Sequence, residues 1–425
     1  MSPTRICCSI AALVVAACAI PAAAPPAPTE PGRTAGASGP GCDPDNGGLV
    51  LPPDFCARVV GSTLGKVRQL AVAPNGDLYA AVAAADDGSG GGVLGFRDTT
   101  GDGHPDLTAS FGSGNGNDVK IHNGYLYFAR TDDVVRWRLA GPLEPAGDPE
   151  PVVRELPADG GHVAKSIAFD GSVMYVNVGS RTNSCQEQDR VSGSTGHDPC
   201  TELERRAGIW TFAADRPGQT FADGERYATG LRNAMALAVE PGTRALYAGV
   251  HGRDQLAQNW GFSAEVNAEN PAELFVRVSR GDDYGWPYCQ YSHEHDRMVL
   301  SPEYGGDGST AGRCAELPLP LIAFPAHWAP MALAFYPGDA FGPRFRGGAF
   351  LAWHGSWNRA PLPQAGYRVV FIPFQGGTPT GEYETFATHE SGPTGLRASG
   401  VAVGPDGALY IAADRNAMIW RVVRR

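Results

Sequence analysis

The chain is poor in positive charge. Its 425 residues carry 34 Lys and Arg against 45 Asp and Glu, a formal net charge of -11, and no stretch gathers the basic side chains that a phosphate-lined partner demands. Nucleic acid is excluded as a partner. Long segments of helical period are missing, and the apolar run at 6–20 is too short to span a bilayer comfortably. There is no Cys-x-x-Cys pair, which weakens any zinc reading, and no Cys-x-x-Cys-His, which removes a covalently attached c-type haem. What is plentiful is Gly (56) and Pro (35), interleaved with short Val/Ala/Leu/Tyr runs. Such a composition makes many short strands joined by turns.

The beginning of the chain reads as an export signal, with Arg5 ahead of the apolar 6–20 core. Two cleavage readings stand side by side: after Ala22-Ala23-Ala24, giving a signal of 1–24, or before Cys18, as in a bacterial lipoprotein. A Pro/Ala/Gly-rich linker, 25–41, follows and leads into a folded region, 42–425. The expected location is therefore outside the cytoplasm, either periplasmic, secreted or lipid-anchored. Beyond the signal, six cysteines remain, an even number suited to an oxidising compartment. Sequence alone does not set their connectivity. Neighbour pairing, Cys42 with Cys56, Cys185 with Cys200 and Cys289 with Cys314, closes three short loops and is the expectation.

One pattern recurs: alternating apolar residues, a Pro/Asn/Asp/Gly turn, and a second strand ending in Leu-Tyr or similar. It occurs at Leu70-Ala-Val-Ala-Pro-Asn-Gly-Asp-Leu-Tyr79, Val119-Lys-Ile-His-Asn-Gly-Tyr-Leu-Tyr127 and Ile167-Ala-Phe-Asp-Gly-Ser-Val-Met-Tyr175. It returns in 235–247, in Ala332-Leu-Ala-Phe335 with Gly348-Ala-Phe-Leu351, and in Val401-Ala-Val-Gly-Pro-Asp-Gly-Ala-Leu-Tyr-Ile411. Six copies of one hairpin predict an all-β, six-bladed β-propeller. The long insertions 181–204, 253–280 and 289–326 are expected to crowd one face and build a cleft.

The chemistry-bearing residues sit at the mouths of these hairpins. His162, in Asp159-Gly-Gly-His162, precedes the third copy, where a neutral imidazole would serve as general base. Arg232, Arg359 and Arg397 adjoin hairpins of different copies, and guanidinium forks suit a ligand with several carboxylates, although each could instead tie blades together. Trp286, Trp328, Trp353 and Trp357 could wall a planar cofactor or a sugar, Trp328 being the choice for substrate contact, with core packing as the alternative. The acidic loop Asp98-Thr-Thr-Gly-Asp-Gly-His-Pro-Asp106 has calcium-like spacing but Ala109 where an EF-hand places Glu, so a tight turn is expected. His293 and His295 read as solvated loop residues.

Four motifs together, Gly230-Leu-Arg-Asn233, Asp283-Tyr-Gly-Trp-Pro287, His354-Gly-Ser-Trp-Asn-Arg359 and Gly400-Val-Ala-Val-Gly-Pro-Asp-Gly407, resemble the soluble pyrroloquinoline quinone (PQQ)-dependent sugar dehydrogenases, closer to the sorbosone dehydrogenase-like branch. The resemblance covers 49–425. It implies PQQ and calcium as cofactors, an aldose or related sugar aldehyde as substrate, an external electron acceptor, and His162 as the base that removes the sugar hydroxyl proton. It also implies that Arg232 and Asn233 contact the quinone, that Arg397 holds a PQQ carboxylate, and that the backbone carbonyls of Gly252 and Arg253 hold calcium. The chain departs from the glucose enzyme in a shorter loop after Gly252 and in Ser399 where a second arginine would stand, with Arg359 as the candidate replacement for lost cations. A propeller that has kept the fold and lost the cofactor is the competing reading, although His162 and Arg232 are both present. A propeller hydrolase would need a Glu/Asp/Asn cluster around an axial metal, which the strand mouths do not supply.

Overall fold

The computed structural model describes residues 41–425. The signal, Cys18 and the linker as far as residue 40 lie outside the described residues. Among the described residues no helix is long and apolar enough to cross a membrane.

Each repeat becomes the innermost hairpin of one sheet, and the sheets are the six blades of a propeller. The inner strands are Val67–Val72, Gly116–His122, Ile167–Asp170, Ala236–Val239, Pro330–Phe335 and Ala398–Val403, which number blades 1 to 6. Blades 2 and 5 carry a fifth strand, Gln219–Thr220 and Leu49–Val50. The ring closes through blade 6, whose outermost strand, Phe55–Gly61, comes from near the start of the described chain and pairs antiparallel with Met418–Arg424. Pairing the two ends of a circular array removes the free edges that would otherwise split it open.

Blades pack face to face, and every interface has its own apolar core. Phe341, Phe350 and Trp420 fill the one between blades 5 and 6; Phe324, Trp328 and Trp353 belong to the one between blades 4 and 5. On the axis the strands draw together around Gln69, 2% exposed. Its Nε2 lies 3.0 Å from Ser166 Oγ, 3.2 Å from Met235 O and 3.0 Å from Met331 O, while its Oε1 accepts from Lys120 Nζ at 3.2 Å. One carboxamide of blade 1 thus reaches the inner strands, or their first turns, of blades 2, 3, 4 and 5. Blade 6 joins through Ser399 Oγ, which donates to Val67 O at 2.8 Å, and through Gly400, where a Cβ would stand 2.4 Å from Arg68 O.

The insertions gather at one rim. Loop 181–204 and the helices Leu256–Trp260 and Ala264–Glu269 connect second to third strands of blades 3 and 4. Residues 279–287 run beside the outer strand of blade 3, with a parallel bridge from Thr229 to Asp283, and carry the hairpin Cys289–Ser292/Arg297–Leu300 to that rim. The disulfides are Cys42–Cys56, Cys185–Cys200 and Cys289–Cys314, and two of them lie in these insertions. The Asp98 loop is a turn: its carboxylate accepts from the backbone N–H of Thr100, Gly101 and Gly103 at 3.1, 2.7 and 2.6 Å. Replacing Gln69 by Ala would leave Ser166, two carbonyls and the Lys120 ammonium short of a partner at the axis. Guanidinium denaturation should show a loss of about 2–4 kcal/mol, since each buried polar group left unpaired costs about 1–3 kcal/mol.

Candidate active site

In an antiparallel blade the inner strand starts and the second strand ends at the same rim. Six blades therefore bring twelve strand ends together, and the polar residues there face a common space rather than separate loops.

His162 stands in the connection from blade 2 to blade 3. Its Nδ1 is 3.0 Å from Ser180 O and 2.9 Å from Ser180 Oγ. The carbonyl can only accept, and the hydroxyl already donates to Thr182 O at 2.7 Å, so Nδ1 carries the hydrogen and Nε2 is the bare nitrogen. Burial, then the Arg232 guanidinium and His251, hold its pKa well below the ordinary imidazole value. Gly179 lets the neighbouring groups close in, because a Cβ there would sit 2.6 Å from His162 Cβ and 2.8 Å from Asn233 Oδ1. Asn233 is fixed through Asn177, whose Nδ2 donates to its Oδ1 at 3.2 Å. His251 donates from Nε2 to Pro330 O at 2.8 Å, and burial pushes it down to about 4.

Beside His162 lies a cluster built on Asp254. Arg232, 4% exposed, donates to Asn183 O (3.0 Å), Asn183 Oδ1 (2.9 Å), Gly252 O (2.7 Å) and Asp254 Oδ2 (3.2 Å). Arg190 reaches the same carboxylate oxygen at 3.1 Å, and Arg253 pairs with buried Glu303 at 2.8 Å. Burial raises the Asp254 pKa, but His327, Arg232 and Arg190 outweigh it and hold the carboxyl far below its usual range. Glu273, whose Oε2 accepts from Gly252 N at 3.1 Å, is pushed up to about 8 by burial. The Gly252–Arg253 carbonyls do not fit a calcium cradle as they stand. A guanidinium already donates to Gly252 O, the Asp254 carboxylate is paired with Arg232 and Arg190 and the Glu303 carboxylate with Arg253, and no group of three or more His, Cys, Asp or Glu that could hold a metal ion occurs among the described residues. The cavity behind Gly252 and Arg253, about 40 Å³, has room for a few waters only.

Across the rim a second cluster joins blades 1, 5 and 6. Asp414 Oδ2 lies 2.8 Å from Arg68 Nη1 and 2.7 Å from His354 Nε2, and Arg397 Nε lies 2.9 Å from His354 Nε2 and 3.6 Å from Asp414 Oδ1. Burial pushes Asp414 up, yet His354, Arg68 and Arg397 bring it down to about 2. Two guanidinia against one carboxylate leave a net positive charge. Arg397, with 42% of its side chain exposed, directs no terminal nitrogen at a protein acceptor among the described residues. A guanidinium left open in this way can take an anion, and bidentate pairing with a carboxylate is what it does best.

A model of the TrAA12-like family matches residues 49–425. The chain belongs to the TrAA12-like family. Its fold is similar to a calcium structure of the Trichoderma reesei Carbohydrate-Active Enzymes Family AA12 protein, with a TM-score of 0.73 and 18% identity over 89% of this chain and 97% of that one. It is similar too to the holo form of the pyranose dehydrogenase PQQ domain from Coprinopsis cinerea, with a TM-score of 0.71 and 18% identity over 88% of this chain and 97% of that one. Among curated proteins, the aldose sugar dehydrogenase YliI of Escherichia coli is 23% identical over 286 residues, 66% of this chain and 65% of that protein. The matches span 48%, 16% and 65% of the lengths of the first curated relatives. The resemblance to PQQ-dependent sugar dehydrogenases holds at this level; the sorbosone dehydrogenase-like branch does not enter it.

Within this TrAA12-like chain the expected site residues divide. His162, Asn233, Arg232 and Gly252 come together, and Arg397 stands across from them. Arg359, 8% exposed, instead ties loops: it donates to Ala326 O (3.3 Å), Pro363 O (3.2 Å), Ala268 O and Glu269 (2.8 Å). Trp328 lies in the core between blades 4 and 5, 5.5 Å from Trp353, with Arg368 over its ring at 4.8 Å. Arg68, His354 and Asp414 were not singled out from the sequence, though they occupy the strand-mouth positions that drew attention to Arg397; His354 even opens a quoted motif.

Lys165 was also overlooked. Fully buried, it directs its ammonium at the carbonyls of Pro157 (2.9 Å) and Val163, on either side of His162, and thereby closes the loop that carries the imidazole. Burial, then Arg206, push it down to about 7. A free lysine titrates near about 10.4, so between about pH 7 and about pH 10 the unfolded chain holds more protons and the folded state gains stability as pH rises. Below about pH 7 this group's cost is constant. Denaturation measured at about pH 7 and about pH 10 should show wild type gaining stability across the interval relative to Lys165→Met; equal slopes would place the Lys165 pKa elsewhere.

Proposed function

We propose that this protein is a PQQ-dependent oxidoreductase that oxidises an aldose or related sugar at the rim of the propeller. The carrying observation is the pairing of a bare, low-pKa His162 Nε2 with a half-exposed guanidinium, Arg397, backed by Arg68 across the same space. The family match and the sugar dehydrogenases among its relatives support the redox reading. The three disulfides accord with a location outside the cytoplasm.

PQQ carries carboxylates and a planar quinone, and when bound it supplies the two-electron acceptor to which a sugar C–H can deliver hydride. Arg397 and Arg68 would hold a carboxylate. Asn233, clamped by Asn177, presents its amide beside His162. Arg232, fixed at four acceptors, keeps positive charge next to the imidazole, which favours its neutral form. His162 Nε2 takes the proton of the sugar hydroxyl, while Nδ1–H, held by Ser180, keeps the ring oriented as it becomes cationic. Electrons then pass to an external acceptor. Calcium is left out of this reading because Gly252 O, one of the two carbonyls expected to hold it, already accepts from Arg232.

Titration of the purified protein with PQQ, followed by absorbance and calorimetry, tests the reading. Binding is expected, and Arg397→Met should weaken it about 10- to 100-fold, the worth of a charged hydrogen-bonded pair. No binding by the wild type would favour a propeller without a redox role. His162→Ala should lower kcat by about 100- to 10,000-fold with PQQ affinity retained. Because the folded imidazole titrates below its usual range, kcat/KM should stay flat through neutral pH, with its acid limb displaced below that of a free imidazole. A limb at the ordinary imidazole pKa would remove His162 from the role.

A further inference from the structure

Trp357 has 62% of its surface exposed, the most of any large hydrophobic side chain among the described residues. Its three companions in the sequence, Trp286, Trp328 and Trp353, are all buried. A slack loop would account for this exposure, but the loop is not slack. Gly355 N donates to Trp328 O at 2.9 Å; Ser356 N donates to Ala365 O at 2.9 Å, and Ser356 O accepts from Tyr367 OH at 2.6 Å. On the other side, the carbonyl of buried Asn358 accepts from Asn267 Nδ2 at 2.7 Å, and Arg359 makes the ties already described. Residues 355–356 and 358–359 are buried and anchored, and the indole between them is held out into solvent. Leaving so large an apolar group in water forgoes about 2–3 kcal/mol of burial.

The direction of the projection gives it a use. His354, three residues earlier, belongs to the Arg68/Arg397/Asp414 cluster. Arg190, whose guanidinium carbon lies 5.9 Å from the Trp357 ring centre, shares Asp254 with Arg232 and donates to Gln255 Oε1 at 2.9 Å. The indole therefore joins the two charged clusters, three residues along the chain from His354 of one and under Arg190 of the other. An exposed apolar plate with a guanidinium set over its ring matches one ligand chemistry well. A pyranose ring presents a face of C–H bonds that packs on an indole and hydroxyls at its rim that accept from a guanidinium.

We propose that Trp357, with Arg190 beside it, is the platform on which the sugar substrate stacks, and that it selects pyranose rings over open-chain aldehydes. The proposal rests on the sugar dehydrogenase reading for the identity of the ligand. The indole sets how tightly the sugar is held, and His162 acts on the hydroxyl of the ring so placed.

Calorimetric titration of glucose, galactose and cellobiose into the protein, with and without PQQ, tests the platform directly, and steady-state kinetics give a second reading. Trp357→Ala should weaken sugar binding and raise the sugar KM about tenfold or more, as loss of a stacking contact does. Trp357→Phe should restore most of it. The affinity for PQQ and the thermal midpoint should not change, because the indole buries little of its surface. Unaltered sugar affinity in Trp357→Ala overturns the proposal, and so does a rise in KM for the electron acceptor alone, which would make this surface the acceptor's docking point. A wild type that binds none of the three sugars in either state overturns it as well. Failure to bind PQQ would instead fall on the proposed function, while the titrations without PQQ still decide the role of Trp357.

Discussion

Six twisted sheets can share an axis only if their inner strands approach one another without a common hydrogen-bond ladder. Here a single carboxamide meets that constraint. Gln69 leaves blade 1 and satisfies or engages groups on four other blades, and Ser399 with Gly400 brings in the sixth. A buried polar hub of this kind is costly unless every member is paired, so it fixes the angular positions of the blades tightly. The catalytic reading depends on that. His162, Arg232, His354 and Arg397 come from different blades, and the axis sets the angular positions from which they meet at the rim, where Arg397 and His354 touch directly.

Charge at the rim is arranged in two unequal halves. Around Asp254 the Arg232 guanidinium is consumed internally and Arg190 shares the same carboxylate, which makes a positively charged wall beside His162; burial first, and Arg232 after it, hold that imidazole neutral. Around Asp414 the arginines are only partly consumed, and Arg397 remains half exposed. Low dielectric strengthens both halves. In the proposed reaction the first half orients and tunes the base, and the second half seats the anion. Lys165, behind the His162 loop and held by the carbonyls of Pro157 and Val163, closes that loop beneath the imidazole.

The fold was legible because a propeller repeats its strongest signal. Leu70–Tyr79, Val119–Tyr127 and their counterparts are inner hairpins, buried on both sides, so alternation and turn residues survive in all six. The short loops closed by disulfides were legible for a related reason, since cysteines close in sequence need little chain to meet. The site was legible only where a residue carries its chemistry in its type, as His162 does. Arg68 and Asp414 gave no such signal: they are an Arg inside an inner strand and an Asp just past the second strand of another blade, alike in sequence to many structural residues, and become a pair only when blades 1 and 6 are side by side. Arg359 and Trp328 misled in the opposite way. Both follow motifs that adjoin the rim, yet the insertions turn one toward backbone carbonyls and the other into the core between blades 4 and 5.

What separates these arginines and tryptophans is how much of each side chain the protein leaves unused. Arg232 and Arg359 have their guanidinia committed to protein acceptors, and neither can add a ligand without giving up a buried partner, at a cost of about 1–3 kcal/mol or more for a charged group. Arg397 can do so at little cost. The same criterion separates Trp353, wholly buried and part of the scaffold, from Trp357, fixed by its neighbours but itself uncovered. Arg359 and Trp357 are then two parts of one device: the buried guanidinium tethers the loop to Ala268, Glu269 and Ala326, and that tether holds the indole between the two charged clusters. A residue expected to touch the cofactor contributes instead by immobilising the one that reaches outward.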